Sequence, residues 1–356
     1  MIKTFSVDIL KWYRLHARAL PWRMTKDPYK IWVSEAMLQQ TTVKAVIDYY
    51  HAWLKKFPDV HALANASAES VLKAWQGLGY YNRARNFHKS AQIVVEKYQG
   101  EVPRDPDALR ALPGFGPYMS ASVASIAFDI KISLVDANVR RVIMRILNIH
   151  GPAVSARDKD ILKFLDVVMP ERHCGDFNQA LMELGAMVCT TKEPKCNMCP
   201  VNKHCQAFKK GCQELIPESK KVSLNEITAV IALIKKGSKY LIQQRPDHGL
   251  LAGMWEFPGG KVETKKDTGL KAALKREVFE ELGQECLVGD EFCRVKHYYT
   301  TNKVQLIVFD VLLTGDKFKL KSSMRWVGSK DLKEYPMPSG SAKIVEKLLD
   351  TKQVNP

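Results

Sequence analysis

The sequence predicts two domains of different class, an all-helical domain followed by a mixed α/β domain. Over residues 5–186 the apolar residues recur at helical spacing, as in Val139, Val142, Ile143 and Ile146. After residue 225 the pattern changes to short runs rich in β-branched and aromatic residues, which favour strands. A polar, charged stretch lies between the two regions and is typical of a linker. We therefore expect a helical domain over residues 1–212, a linker over 213–225 and an α/β domain over 226–356.

Composition limits the classes of function. The chain has 356 residues and a formal net charge of +16, of which +10 falls within residues 1–220. An excess of Lys and Arg favours a polyanionic partner, although it also suits a basic protein without one. The N-terminus lacks the apolar core of a signal peptide, and no apolar run approaches the roughly 18 residues that span a bilayer. We therefore expect an intracellular protein without a membrane partner.

Prolines and glycines divide the helical region into short helices, and one connection between them has a distinctive sequence. Residues 112–117 read LPGFGP. Gly114 and Gly116 can both adopt the positive φ that lets successive backbone amides converge on one anion. The same pattern also makes plain turns between helices. The sequence thus predicts a hairpin between two helices that is suited to hold a phosphate.

Four cysteines lie within seventeen residues near the end of the helical region, in the pattern C-x6-C-x2-C-x5-C. Uneven short spacings of this kind wrap one compact thiolate centre and are typical of a [4Fe-4S] cluster. A structural zinc site is the alternative, but such sites usually show two Cys-x2-Cys pairs or histidine ligands. We expect a loop over residues 189–205 whose ligands are Cys189, Cys196, Cys199 and Cys205.

The second region reads as strands around a helix. Strands are expected at residues 228–234, 240–244 and 304–313, and helices at 270–282 and 341–349. On the first of these helices Glu277, Glu280 and Glu281 share one face, because they stand at i, i+3 and i+4. A solvated acidic face is the ordinary explanation of this spacing. A Mg²⁺ site for diphosphate chemistry is the functional explanation.

Two carboxylates in the helical region suit acid–base chemistry. Glu35 lies among apolar neighbours on a predicted buried helix, where desolvation raises a carboxyl pKa, although a surface glutamate has the same residue type. Asp136 precedes the helical run 137–147 and suits an N-cap that helix amides keep ionised. A carboxylate held in this way can support a cationic sugar.

The order of hairpin, Asp136 and cysteine run resembles the helix-hairpin-helix glycosylases of the endonuclease III superfamily. Within it, residues 20–23 (LPWR), 34–41 (SEAMLQQT) and 77–81 (GLGYY) are most similar to the MutY family of adenine glycosylases. Residues 249–263 and 276–283 resemble a Nudix domain of the MutT type. The resemblance implies a [4Fe-4S] cluster and excision of adenine opposite 8-oxoguanine or guanine in double-stranded DNA. It also implies a monomer in the cytoplasm, associated with the nucleoid.

The resemblance assigns roles to individual residues of the helical region. It implies that Glu35 protonates the adenine ring, that Asp136 stabilises the sugar cation or acts as nucleophile, and that Asn138 orients substrate or water. Bifunctional relatives carry a lysine at position 118, where this chain has Tyr118, so no Schiff base can form and a monofunctional enzyme is expected. The resemblance also implies that Gln40 and Tyr80 act as intercalating or minor-groove probes beside the flipped nucleotide and that Gly114 and Gly116 bind DNA. The residues that it implies for the base pocket are Leu20, Trp22, Arg23 and Gln179.

The Nudix-like region departs from its family's pattern. Thr268 stands where the first glutamate of the catalytic box belongs, so we expect a reader of 8-oxoguanine, with Tyr299 and Thr300 in the recognition loop. Retention of Arg276 and of the three glutamates leaves open a second activity, Mg²⁺-dependent hydrolysis of 8-oxo-dGTP. A protein that binds damaged DNA without catalysis is the third possibility.

Overall fold

The computed structural model describes residues 3–218, 225–263, 265–299, 302–315 and 318–354. Contacts divide the chain into two compact units, residues 1–65 with 86–221 and residues 66–85 with 222–356. Within the described residues the strands are β1 (Asn225–Lys236), β2 (Lys239–Gln244), β3 (Trp255–Glu256), β4 (Gly259–Lys261), β5 (Cys286–Tyr299), β6 (Asn302–Leu313) and β7 (Met324–Gly328). The α-helices there are α1 (Lys3–His16), α2 (Pro28–Leu38), α3 (Val43–Lys56), α4 (Val60–Ala64), α5 (Ala68–Ala74), α6 (Asn82–Tyr98), α7 (Pro106–Arg110), α8 (Pro117–Phe128), α9 (Ala137–Leu147), α10 (Asp158–Val168), α11 (Cys174–Met187), α12 (Gln206–Lys209), α13 (Leu270–Leu282) and α14 (Ser339–Val354).

Helix α11 is the central element of the first unit. It packs against α1, α8 and α9, and it buries residues on nearly every side, as a helix within a core does. Phe177 of α11 meets the ring of Phe5 of α1 edge to face, with 6.4 Å between the ring centroids. The predicted all-helical class of this region is confirmed. No helix in the described part of the chain has the length and apolarity that a bilayer crossing requires.

The predicted hairpin joins α7 to α8. Gly114 adopts a φ of +83°, whereas Gly116 is the extended N-cap of α8, with φ −79° and ψ −179°. The expectation of positive φ is therefore wrong for Gly116, because an N-cap residue takes β-region angles. Phe115 is buried and its ring lies 4.9 Å from that of Trp32. The hydroxyl of Ser90 donates to the Pro113 carbonyl at 2.7 Å, which ties the turn to α6.

The second unit is built on a mixed sheet with the strand order β3-β2-β1-β6-β5, to which β4 and β7 pair at β1 and β2. Strand β1 lies at the centre and carries six consecutive buried residues, as expected of a strand covered on both faces. It runs parallel to β6, and β5 pairs antiparallel to β6 at the edge. Helix α13 covers one face and α14 the other. The predicted α/β class is confirmed.

Candidate active site

Glu35 lies near the end of α2, a helix that begins at the N-cap Asp27, whose side chain accepts the amides of Tyr29 and Lys30. The side chain is only 5% exposed, and the Tyr118 hydroxyl donates to its Oε2 at 2.7 Å. Burial raises the pKa of Glu35, and this hydrogen bond opposes the rise. The nearby negative charge of Asp136 raises that pKa further. The raised pKa favours the protonated form of Glu35, which is the form that a general acid needs.

Asp136 is the N-cap of α9. Its Oδ1 accepts the backbone N–H of Val139 at 2.6 Å, and its Oδ2 accepts the side-chain amide of Asn138 at 2.9 Å. Burial raises the pKa of Asp136, and both hydrogen bonds oppose that rise because they stabilise the ionised form. The carboxylate is thus oriented by donors on both oxygens, a geometry suited to support positive charge on a nearby sugar.

Tyr118 lies in the first turn of α8 and connects the acid to α11. Its hydroxyl approaches the sulfur of Met182 at 3.5 Å as well as Glu35. Burial raises the pKa of Tyr118 well above its ordinary value, and the adjacent carboxylates raise it further. The phenol therefore stays protonated and acts as a hydrogen-bond donor.

One face of α11 carries three polar or polarisable side chains, of which Met182 contacts Tyr118 and Glu183 contacts Arg23. Gln179, Met182 and Glu183 stand at i, i+3 and i+4, so they share a face. Gln179 was expected here, but Met182 and Glu183 were missed. A glutamate inside an apolar helical run was the available signal for Glu183.

The predicted pocket residues of the LPWR segment form a 3-10 turn, Pro21–Arg23. Leu20 and Trp22 are buried, and the Trp22 ring meets that of Tyr50 edge to face at 5.5 Å. Arg23 donates two hydrogen bonds to Glu183 of α11. The turn is therefore fixed by packing on one side and by an ion pair on the other.

Gln40 and Tyr80, the predicted DNA probes, both adopt left-handed backbone angles, with φ of +60° and +50°. Such angles are unfavourable for residues other than glycine and cluster at functional sites. Tyr80 is 42% exposed, and the Arg83 guanidinium lies 5.6 Å from its ring centroid. Arg83 also donates to the carbonyls of Leu78 and Gly79. Sequence reasoning missed Arg83, which holds the loop that presents Tyr80.

A chain of hydrogen bonds links Asp136 to the cysteine loop. Beyond its bond to Asp136, Asn138 accepts from Arg141 at 2.9 Å. Arg141 in turn donates to the carbonyls of Gly185 and Cys189, at 2.7 and 2.9 Å. Gly185 permits the close approach, since a Cβ there would lie 2.6 Å from the Cβ of Asn138. Helices α9 and α11 are therefore in tight contact beside Asp136.

The four clustered cysteines line a single cavity in the first unit, together with side chains from α9 and α11. Arg145 of α9 is only 1% exposed and donates to the Cys189 sulfur at 3.2 Å. It also donates to the carbonyls of Thr190, Thr191 and Ile216. Four thiols beside a buried guanidinium are a suitable donor set for a metal centre held by thiolates. Across the described ranges, no three His, Cys, Asp or Glu side chains are grouped so as to hold a single metal ion.

The three glutamates of the Nudix-like region are engaged within the protein. Arg276 contacts Glu277 at 2.8 Å and Glu280 at 3.2 Å, and it forms two hydrogen bonds with Asp267. Glu281 accepts from Gln243 and from the Gly259 amide. Burial raises the pKa of Glu281 to about 7.

The predicted 8-oxoguanine contacts lie at the boundary of what the structure describes. Thr300 falls outside the described residues, and only the backbone of Tyr299 is described, at the end of β5. Both residues remain predictions.

Comparison with known proteins gives two family matches. Residues 33–166 match the HhH-GPD superfamily base excision DNA repair protein family, and residues 229–347 match the NUDIX domain. An adenine DNA glycosylase of Rattus norvegicus is 36% identical over 328 residues, a match that covers 77% of this chain and 64% of the relative. One from Buchnera aphidicola (Schizaphis graminum) is 34% identical, covering 76% and 79%. One from Mycolicibacterium smegmatis is 42% identical, covering 56% and 68%.

Two solved structures resemble part of the chain. A thermostable thymine-DNA glycosylase is 32% identical with a TM-score of 0.53, and the match covers 59% of this chain and 97% of that one. A trapped endonuclease III–DNA covalent intermediate is 25% identical with a TM-score of 0.51, covering 59% and 96%. The chain spans just under two thirds of the rat relative's length.

Proposed function

Because the chain belongs to the adenine DNA glycosylase family, we propose that it excises adenine paired with 8-oxoguanine or guanine in double-stranded DNA. The observation that carries this proposal is the pairing of Glu35, which is buried, with Asp136, which is half-buried. Burial raises the pKa of both carboxyls; Glu35 has a phenol donor, and Asp136 has a helix amide and an asparagine as donors that oppose the rise. Cleavage of a glycosidic bond through a cationic sugar needs one acid and one charge-stabilising carboxylate.

The proposed reaction begins when the adenine nucleotide leaves the duplex, because its glycosidic bond is otherwise inaccessible. Tyr80 and Gln40 fill or probe the gap, and their strained, exposed loops support that role. Glu35 gives its proton to the adenine ring, so the base leaves as a neutral molecule. Asp136 stabilises the sugar cation or attacks it, and Asn138 orients Asp136 or water.

The proposed enzyme is monofunctional. Tyr118 stands where the bifunctional relatives carry a lysine, and its hydroxyl is directed at Glu35. A phenol cannot form an imine with the sugar, so the strand stays intact after base release. Gly114, Gly116 and the first turn of α8 are proposed to hold a DNA phosphate.

We also propose that Cys189, Cys196, Cys199 and Cys205 hold a [4Fe-4S] cluster, with Arg145 supporting the thiolate of Cys189. When bound, such a cluster would cross-link the loop over residues 189–205. Iron and acid-labile sulfide analysis tests this assignment. The Nudix-like unit is proposed to read 8-oxoguanine, and the protein is proposed to act as a monomer.

Single-turnover base release tests the function. The duplexes carry adenine opposite 8-oxoguanine, guanine or thymine, and each sample is divided into alkali-treated and untreated halves. We expect fast release opposite 8-oxoguanine and guanine, with strand breaks only after alkali.

The control variant is Glu35→Gln, which keeps the shape of the side chain and removes its acidic proton. We expect it to lower release by about 100-fold or more while duplex binding persists. Full release by this variant would eliminate the proposed acid, and breaks without alkali would restore a lyase.

A further inference from the structure

Another buried carboxylate lies on α11, outside the pair assigned to the chemistry. Glu183 is 1% exposed and accepts five hydrogen bonds. Oε1 accepts from the Arg18 backbone amide at 3.0 Å, from Arg18 Nε at 2.8 Å and from Arg23 Nη1 at 2.9 Å. Oε2 accepts from Arg18 Nη2 at 2.6 Å and from Arg23 Nη2 at 2.7 Å. Burial alone would raise the pKa of Glu183, but hydrogen bonds from Arg23 and Arg18 lower it to about 2. Glu183 is therefore ionised.

This contact leaves Arg23 little freedom. Both terminal nitrogens of its guanidinium donate to Glu183, and Nη1 also donates to the Arg18 carbonyl at 3.0 Å. The guanidinium lies 5.5 Å from the ring centroid of Tyr13. Because Arg23 ends the 3-10 turn that carries Leu20 and Trp22, fixing the guanidinium also fixes this turn.

The same contact balances charge near the proposed acid. Among the titratable and charged groups, Tyr118 from α8, Asp136 at the start of α9 and Arg23 contribute most to the pKa of Glu35. Arg23 lowers the pKa of Glu35, which favours the ionised form that cannot donate a proton. Arg18 and Arg23 together bring two positive charges, and Glu183 offsets one of them.

We propose that Glu183 is a positioning residue for adenine excision, which holds Arg23, a residue expected to line the base pocket, and offsets the Arg23 charge beside Glu35. The inference rests on the proposed glycosylase function and deepens it. In this proposal Glu183 acts through Arg23, to which it is hydrogen-bonded, and not directly on the base or the sugar. Its loss should therefore change the pH dependence of the reaction and not only its rate.

The test compares Glu183→Gln with Glu183→Asp in single-turnover release of adenine opposite 8-oxoguanine, measured across pH. In Glu183→Gln the uncompensated guanidinium charge should move the alkaline limb of the profile to lower pH by about one unit. Release should then fall about tenfold on that limb and recover on acidification. Glu183→Asp keeps the charge, so its limb should stay in place even if the shorter side chain slows release. Equal losses at every pH in both variants would overturn the proposal.

Arg18→Gln should shift the pH profile in the opposite direction, so the inference stays testable if Glu183→Gln folds poorly. It removes one positive charge and leaves the Glu183–Arg23 pair, so the alkaline limb should move to higher pH. A limb that moves to lower pH or stays in place would contradict the charge-balance argument.

A readout independent of excision separates this inference from the function itself. The Glu35 carboxyl is titrated by carbon-13 NMR, with its resonance assigned through Glu35→Gln, in the unsubstituted protein and in Glu183→Gln. A lower titration midpoint in Glu183→Gln supports the role of Glu183, and an unchanged midpoint overturns it. Absence of adenine release from the unsubstituted protein would refute the glycosylase function while this titration still decides the role of Glu183.

Discussion

The hydroxyl of Tyr118 is the direct partner of the proposed acid, which makes Tyr118→Phe an informative single substitution. Its hydrogen bond stabilises the ionised form of Glu35, so its removal should raise the pKa of Glu35 further. Because release needs protonated Glu35, the alkaline limb of the rate profile should move to higher pH, by about one unit for a hydrogen bond to a charged group. Single-turnover release across pH measures the change.

Met182→Leu is the matched control for Tyr118→Phe, because it removes the other contact of the same hydroxyl without touching Glu35. Its alkaline limb should not move. A limb that stays in place or moves to lower pH in Tyr118→Phe would refute the direction argued from the hydrogen bond.

Single residues of the site differ in how well the sequence predicts them. Glu35 stands out because an acid among apolar residues is unusual, and its neighbours resemble a known family. Glu183 lies in an equally apolar run, but nothing near it in the sequence indicates Arg18 and Arg23, which are 160 residues or more away in the chain. Such a partner depends on how helices pack and is not encoded locally.

At the scale of elements, Asp136 has two roles that one substitution can separate. Asn is as good an N-cap as Asp, so Asp136→Asn should keep α9 stable while adenine release falls by about 100- to 1,000-fold. Asp136→Ala should lose both the N-cap and the carboxylate, so adenine release should fall and the free energy of unfolding should drop by about 1 kcal/mol. Thermal unfolding measured beside single-turnover release checks both expectations. The two roles would not be separable if the Asn variant lost as much stability as the Ala variant.

Elements bounded by clear end signals were predicted closely, and an edge strand was not. Helix α9 starts after its cap Asp136 and ends at the left-handed Asn148, and α13 ends at the left-handed Gly283. Strand β5, by contrast, was missed. Among the described residues it pairs only with β6, so charged residues are tolerated along it, and its apolar alternation is weak.

At the scale of the whole molecule, the open question is whether the Nudix-like unit gives the chain a second activity. Arg276 forms salt bridges with Glu277 and Glu280, and Thr268 stands in place of the first glutamate of the Nudix box. We therefore expect the full chain to release no pyrophosphate from 8-oxo-dGTP with Mg²⁺, in a preparation that releases adenine from duplex DNA. Mg²⁺-dependent release that disappears in Glu280→Gln would establish the second activity.

The two structural classes were predictable because helical and strand periodicities differ over long stretches. The grouping of residues 66–85 with the second unit could not be predicted from the periodicity of the sequence. Their pattern is helical like that of their neighbours in the chain, and grouping depends on contacts between residues that are far apart in sequence. A pattern along the chain predicts whether an element is a helix or a strand better than it predicts which other elements that element packs against.

The tight contact at Gly185 limits which residues can replace this glycine during evolution. Alanine at that position would improve the propensity of α11 to form a helix by about 1 kcal/mol. Its added methyl group would meet Asn138 at 2.6 Å and displace the partner of Asp136. Selection for a stable helix and selection for an active enzyme therefore oppose each other at this residue. Among sequences that share an ancestor with this chain, we expect glycine to persist there while exposed positions of the same helix drift.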